Sequence, residues 1–300
     1  MGHVPDRLSR LRRDQRLRHK HTAHPVGESN EGAGVMANKS HHVRFLNNKV
    51  HDCGGRGIAT GFSDYITVER NRVYRSAFTS IYNCSGVSLW EGVDFDKKPG
   101  AHNIVRDNVC YQNENKGPTP LNGGQPTDGN GIIIDGSHGV GGFLIENNLC
   151  FDNGGRGIEI GHARNATVRC NTVVRNQRTP YLNNVDLRAD YSQNVHFINN
   201  IVVGRPGQHF SNNWMTSGIR YDHCLFHGYT KVDPDEMGVG NIMEKDPRFR
   251  NPKSNDYPIQ PGSPAIGAGD PSETPTKDLD GQTRRGADLG CFAALRRTAG

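Results

Sequence analysis

The sequence predicts an all-β fold in which short parallel strands wind into a solenoid, and three observations lead to this prediction. Glycine accounts for 37 of the 300 residues, and a chain rich in glycine and asparagine favours tight turns over long helices. Hydrophobic residues make up only 33% of the chain, yet they occur in short alternating runs that are typical of strands. One such run recurs along the chain, which indicates a repeat architecture.

The repeat is an alternating apolar strand ending in asparagine, then a glycine-rich turn, then a second short strand that begins after glycine. Copies of the first strand occupy residues 43–50, 66–73, 104–109, 144–149, 168–173 and 195–201. The asparagine in register is Asn48, Asn71, Asn108, Asn148, Asn171 and Asn200, and a unit of about 23 residues with inserted loops accounts for the spacing. Strands this short must stack on neighbouring repeats to bury a face. We expect each asparagine to bond its counterpart one coil away.

With these repeats the sequence resembles the right-handed parallel β-helix proteins of the pectate-lyase-like group, which includes many bacterial polysaccharide lyases. The resemblance covers about residues 33–292 and extends to a closing segment with the sequences SPAIGAGD (Ser263–Asp270) and DLDGQTRRGADLG (Asp278–Gly290). It implies a right-handed parallel β-helix with long inserted loops on the middle coils. Because the group contains lyases, hydrolases, epimerases and non-catalytic adhesins, the fold leaves the reaction open.

The chain divides into a basic N-terminal segment (1–32), the β-helix (33–292, closing segment from about 245) and a short tail (293–300). The first 24 residues alone account for the net charge of +5, so the rest of the chain is neutral. We expect the basic segment to form a helical cap or a disordered tail. No aromatic residue is interleaved with its basic residues, so no nucleic-acid partner is expected.

No run approaches the length of about 18 apolar residues that a membrane span needs, and the basic segment lacks the apolar stretch of a signal peptide. The resemblance nevertheless implies an extracellular or cell-surface protein, most simply a monomer, whose partner is an acidic polysaccharide or oligosaccharide. The seven cysteines show no zinc-binding spacing. Cys110 and Cys150 follow equivalent asparagines, so we expect them to stack, either as thiols or as a disulfide.

Equivalent positions of successive coils lie about 4.8 Å apart, so the repeats can be aligned into columns. The polar columns fall on the middle coils, which also carry the long insertions Glu91–His102 and Asn113–Thr127. Such loops on a rigid scaffold often carry function. The alignment places three groups on adjacent coils: Trp90, then Asp128, Asn130 and Asp135, then Arg156, Glu159 and His162.

By the resemblance, this grouping implies β-elimination in a uronate-containing polysaccharide. The proton beside a uronate carboxylate becomes removable only when Ca²⁺ or arginine neutralises that carboxylate, and a base then takes the proton. The candidate residues are Lys116, Arg156 and His162 for catalysis, Trp90, Asn130 and Arg56 for substrate binding, and Asp128, Asp135 and Glu159 for Ca²⁺, the candidate cofactor.

Two other functions fit the same residues. In an inverting glycosidase, Asp128 would work with Asp135 or Glu159 as acid and base, at a carboxyl separation of about 6.5–9.5 Å. A non-catalytic glycan-binding or surface-structural solenoid is the other alternative. Arg56 and Arg156 lie in the matching sequences DCGGRGI and DNGGRGI, so both also fit a structural role in a turn.

Overall fold

The computed structural model describes residues 32–80, 84–118, 123–136, 140–179, 182, 186–208, 213–229 and 236–295. The basic segment 1–31 lies outside the described residues, so its predicted cap or tail stays a prediction. Within the described ranges, no helix is long and apolar enough to cross a membrane.

In the described residues, the chain forms three parallel sheets that each coil visits in turn. The first sheet contains Val35–Asn38, Ile58–Gly61, Val87–Trp90, Ile132–Asp135, Ile158–Gly161 and Leu187–Asp190. The second contains His41–Leu46, Asp64–Glu69, Asn103–Arg106, Phe143–Glu146, Arg164–Arg169, Gln193–Ile198 and Ser217–Asp222. The third contains Lys49–His51, Arg72–Tyr74, Val109–Tyr111, Leu149–Phe151, Thr172–Val174, Ile201–Gln208, Leu225–Tyr229 and Ile242–Met243.

The core is a set of apolar columns, because each strand pairs in register with the strand one coil away and its alternate side chains point inward. In the first sheet the inward column is fully buried and consists of Ile58, Val87, Ile132, Ile158 and Leu187. Branched side chains suit this pleated surface. The predicted all-β solenoid is confirmed.

The predicted asparagine stack is also confirmed at the turn between the second and third sheets. Each side-chain amide donates to the side-chain oxygen of the next asparagine at 2.9–3.0 Å, from Asn48 through to Asn200. A second stack, which the sequence analysis missed, joins Asn113, Asn153 and Asn176 at 2.8–3.0 Å. These residues lie five positions after three asparagines of the first stack, and that spacing was the available signal.

The closing segment folds back over the third sheet. It contains the antiparallel strands Phe249–Asn251 and Asp256–Ile259 and the short 3₁₀ helices Pro252–Ser254 and Pro271–Glu273. The ring of Tyr257 lies 5.4 Å from that of Phe151 on the third sheet. Cys110 and Cys150 pair in register as expected, and all seven cysteines are buried free thiols.

Removing one amide of the first stack should destabilise the protein. Asn108 is fully buried, and it donates to Asn148 at 3.0 Å and to the carbonyl of Val68 at 2.9 Å. Asn108→Ala also deprives Asn71 of its acceptor, so the free energy of unfolding should fall by about 3 kcal/mol. Denaturant titration measures this, with the exposed strand residue Gln193→Ala as the control. Equal stability of the two variants would contradict a stabilising role for the stack.

Asp186 should make stability depend on pH. This carboxyl is buried and accepts from the Tyr229 hydroxyl at 2.8 Å, and burial raises its pKa from 3.8 to about 7. The folded protein therefore retains a proton that the unfolded chain loses, so stability should fall as pH rises from about 4 to about 7. Asp186→Asn should raise the melting temperature at pH 8 and change it little at pH 4. A similar change at both pH values would contradict this assignment.

Candidate functional site

The outward face of the first sheet carries the polar residues that the alignment grouped, and the strand registers match the predicted columns. One outward row consists of Ala59, Ser88, Ile133, Glu159 and Arg188. The next row toward the second sheet consists of Gly61, Trp90, Asp135, Gly161, Asp190 and Trp214. We call this surface the first-sheet face.

Three of the predicted site residues form a buried hydrogen-bonded cluster on this face. Glu159 Oε2 accepts from Arg156 Nη1 at 3.0 Å and from Asn130 Nδ2 at 2.9 Å. Asn130 Oδ1 accepts in turn from the backbone N–H of Arg156 at 2.6 Å. Arg156 is 7% exposed and Glu159 6% exposed, and charges buried to this extent persist only when they are paired.

The glycines of DNGGRGI allow the backbones of two adjacent coils to approach closely at this cluster. A Cβ atom on Gly155 would overlap the carbonyl oxygen of Asp128 and the side-chain oxygen of Asn130. The turn therefore requires glycine immediately before Arg156. This glycine lets Arg156 lie close to Asp128 on the adjacent coil.

Asp128 lies beside this cluster, and its pKa is shifted more than that of the other predicted site residues. Burial, followed by the negative charges of Glu159 and Asp135, raises its pKa from 3.8 to about 8, although Arg156 and Arg56 act in the opposite direction. At neutral pH its carboxyl is therefore largely protonated and can donate a proton. Such strong shifts are frequent at functional sites.

The opposite edge of the face carries Asp135, His162 and Trp90. His162 Nδ1 lies 3.4 Å from Asp135 Oδ1, and the imidazole stacks on the Tyr191 ring at 4.8 Å. Burial and the charge of Glu159 raise the pKa of Asp135. Trp90 pairs in register with Asp135 and meets the ring of Phe62 edge-on at 5.0 Å.

Two predicted residues have other surroundings. Lys116 is exposed, its amine lies 3.6 Å from Glu114 Oε2, and the same amine lies 4.9 Å from the centre of the Phe78 ring. Arg56 occupies in its coil the position that Arg156 occupies in a later coil. Three residues further on, the coil of Arg56 has Ala59, whereas the coil of Arg156 has Glu159. The structure therefore does not repeat the Arg156–Glu159 pair on the coil of Arg56.

The residues predicted for Ca²⁺ do not fit a calcium cage as they stand. Glu159 Oε2 already binds Arg156 and Asn130, whereas Ca²⁺ takes six to eight oxygen ligands. Among the described residues, the acidic and histidine group whose ligand atoms all lie within 4.8 Å of one another is Asp64, Asp94 and His102, near the second sheet. The calcium assignment stays a prediction, and no step below depends on it.

Asp64 and His102 were not singled out by the sequence, and their contacts indicate a structural role. Asp64 accepts from the backbone N–H of Phe95 at 2.9 Å and pairs with His102 at 2.9 Å, which ties the Glu91–His102 insertion to the coil. A cavity of about 590 Å³ lies beside this insertion, lined in part by Lys98, His102 and Arg169.

The first-sheet face also carries buried polar atoms that have no hydrogen-bond partner among the described residues. They are Ser88 Oγ, Arg156 Nε, Arg188 Nε and Asp190 Oδ1. Such atoms are rare in native proteins, and others of the same kind among the described residues, such as Arg175 Nε and Arg284 Nε, lie outside this face. The alignment missed Arg188 and Asp190 because their strand follows Asp186 rather than the glycine that marks the other copies.

The buried pair predicts that a second substitution rescues the first. Arg156→Met leaves the Glu159 carboxylate buried without its cation, so the free energy of unfolding should fall by about 3–5 kcal/mol. Adding Glu159→Gln to Arg156→Met should recover most of the loss. Denaturant titration measures both variants, and an equal or larger loss in the double variant would contradict the account of the pair.

Several solved structures are similar to this chain at low sequence identity. No curated protein sequence matches it significantly. The pectate lyase Pel9A aligns with 14% identity over 82% of this chain and 70% of its own, with a TM-score of 0.49. XylC in complex with xylose aligns with 10% identity over 85% of this chain and 50% of its own (TM-score 0.39). The A-module of the Azotobacter vinelandii mannuronan C-5 epimerase AlgE4 aligns with 11% identity over 68% and 62% (TM-score 0.33).

A sequence profile of the family described as "Right handed beta helix region" matches residues 20–173, just over half of the chain. The matched region contains the coils that carry Trp90, Asp128, Arg156 and Glu159, and the described part of it folds as stacked parallel strands. The chain therefore belongs to the right-handed β-helix family.

Proposed function

We propose that this protein is a carbohydrate-active enzyme that cleaves a uronate-containing polysaccharide by β-elimination on the first-sheet face. The observation that carries the proposal is that two arginines on adjacent coils of this face, Arg156 and Arg188, each lie beside a carboxylate of their own coil, Glu159 at 3.0 Å and Asp190 at 2.7 Å. A polysaccharide offers carboxylate and hydroxyl groups that guanidinium and carboxylate groups bind. The proposal combines this chemistry with the family's architecture.

The two arginines suit the carboxylate of a uronate sugar. Arg156 lies in the turn before the strand Ile158–Gly161, and Arg188 lies on the strand of the adjacent coil. Each already has one acidic partner: Arg156 pairs with Glu159 at 3.0 Å, and Arg188 pairs with Asp190 at 2.7 Å. Their remaining N–H groups can bind a carboxylate with a planar fork. On a face from which water is largely excluded, this charge neutralisation is stronger than in solution.

We assign the base to His162. Its imidazole lies beside Asp135, which orients the ring, and it lies at the edge of the same face. The amine of Lys116, the other candidate base, is paired with Glu114 instead. The base removes the proton beside the neutralised carboxylate, the electrons of that C–H bond form a carbon–carbon double bond, and the glycosidic oxygen leaves and takes up a proton.

Hydrolysis is the second candidate, and one observation favours it. Burial and the charges of Glu159 and Asp135 raise the pKa of Asp128 and so favour its protonated form, whereas neighbouring Glu159 is held by a guanidinium. Two nearby carboxyl groups in contrasting environments are the usual acid and base of a glycosidase.

One assay separates the two reactions. The purified protein is incubated with pectate, alginate, glucuronan and glycosaminoglycans, first with Ca²⁺ and then with EDTA, while ultraviolet absorbance and reducing ends are followed. β-Elimination gives both signals, and hydrolysis gives reducing ends alone. Loss of activity in EDTA would support the calcium prediction. Neither signal on any substrate would contradict cleavage and favour a binding solenoid.

The base assignment has its own test. His162→Gln should lower kcat by at least about a hundredfold, the usual contribution of a general base. His51→Gln is a matched control, because His51 also pairs with an aspartate, Asp52 at 2.6 Å, but lies on the third sheet. If Lys116→Gln abolishes the activity and His162→Gln does not, the base is Lys116.

A further inference from the structure

We propose that the corner between the first and second sheets is an aromatic ledge on which an oligosaccharide lies across several coils. The ledge consists of Phe62, Trp90, Tyr191 and Trp214. The inference rests on the proposed function for the chemistry of the ligand, and it adds which residues hold sugar units away from the reacting bond and why an oligomer is required.

Three rings of the ledge are exposed although large apolar side chains are usually buried. Phe62 is 39% exposed, Tyr191 45% and Trp214 56%, and Trp90 is half-buried. Phe62 and Tyr191 follow equivalent strands at the same corner, with φ of 50° and 46°. Lys39 and Glu91 adopt the same left-handed conformation at this corner, so the conformation belongs to the turn that the coils share.

Both tryptophans of the chain lie in the same outward row. Trp90 pairs in register with Asp135, and Trp214 bridges to Asp190. Four coil-to-coil steps separate them, which corresponds to roughly 19 Å at about 4.8 Å for each step. The row between the tryptophans carries Asp135 and Asp190, so the aromatic platforms bracket a polar segment.

The ledge places ring faces beside polar groups. The tryptophans pair with Asp135 and Asp190, which are half-buried in the same row. A pyranose ring has the same duality, because its C–H groups form apolar faces and its hydroxyl and carboxylate groups lie at its edges. Exposed aromatic rings rimmed by polar groups mark ligand surfaces.

The ledge extends beyond the proposed acid and base residues, so the affinity for an oligosaccharide should depend on the number of its sugar units. Trp214 pairs two coils beyond the coil of Glu159. A disaccharide held at Glu159 would not reach Trp214, whereas a longer chain along the ledge would. Trp214 should therefore contribute to binding of long ligands only.

The test measures binding without turnover. Calorimetry is performed on the full chain carrying His162→Gln, which lacks the assigned base, with disaccharides and hexasaccharides from pectate, alginate and glucuronan. The substitutions below are made in this background, and cleavage is measured with the wild type. Trp214→Ala should weaken hexasaccharide binding roughly five- to tenfold, the contribution expected of one aromatic platform, and should leave disaccharide binding unchanged. Phe95→Ala is the matched control, because Phe95 is also an exposed aromatic ring (52%) but lies outside the ledge.

The outcomes separate the ledge from the proposed reaction. Weaker hexasaccharide binding by Trp214→Ala, without any cleavage by the wild type, would support the ledge and contradict the reaction. Cleavage with hexasaccharide binding unaffected by both Trp214→Ala and Tyr191→Ala would overturn the ledge and leave the reaction standing. An equal loss in Phe95→Ala, or no binding of any hexasaccharide, would also overturn the ledge.

Discussion

The stacking of one coil on the next is the constraint on which the rest of this structure depends. Strands of two to eight residues cannot bury a face alone, so every coil depends on its neighbours for its core and for its backbone hydrogen bonds. The buried asparagines matter here because each one bonds both the backbone and the side chain of its counterpart. They bind the coils together at the turn between the second and third sheets, where strand pairing is interrupted.

The same stacking explains how the candidate site arises. Adjacent coils have nearly the same backbone path, so replacing one side chain changes the local chemistry without changing the position of the backbone. DCGGRGIA and DNGGRGIE share a turn, yet only the second brings a carboxylate, Glu159, to its arginine. Asn130 on the adjacent coil completes the cluster. Burial, together with the charges of Glu159 and Asp135, raises the pKa of Asp128 beside it. The chemistry therefore comes from differences between coils, whereas stability comes from what the coils share.

Much of this arrangement could be predicted because periodicity carries over directly into space. The asparagine stack, the pairing of Cys110 with Cys150 and the columns containing Asn130 and Glu159 all follow from one alignment. The alignment failed where the period is interrupted. Arg188 follows a coil without the marker glycine, and the course of the insertion that carries Lys116 is not set by any repeat. The raised pKa of Asp128 could not be predicted from the sequence either, because it depends on burial and on charges carried by more than one coil.

The central claim is that the first-sheet face binds the polysaccharide, and a crystal structure with a bound oligouronate tests it most directly. The account predicts a sugar chain on this face, with a carboxylate at Arg156 or Arg188 and rings against Trp90 or Trp214. A ligand found instead in the cavity beside the Glu91–His102 insertion, among Lys98, His102 and Arg169, would contradict the claim and move the site to the second sheet.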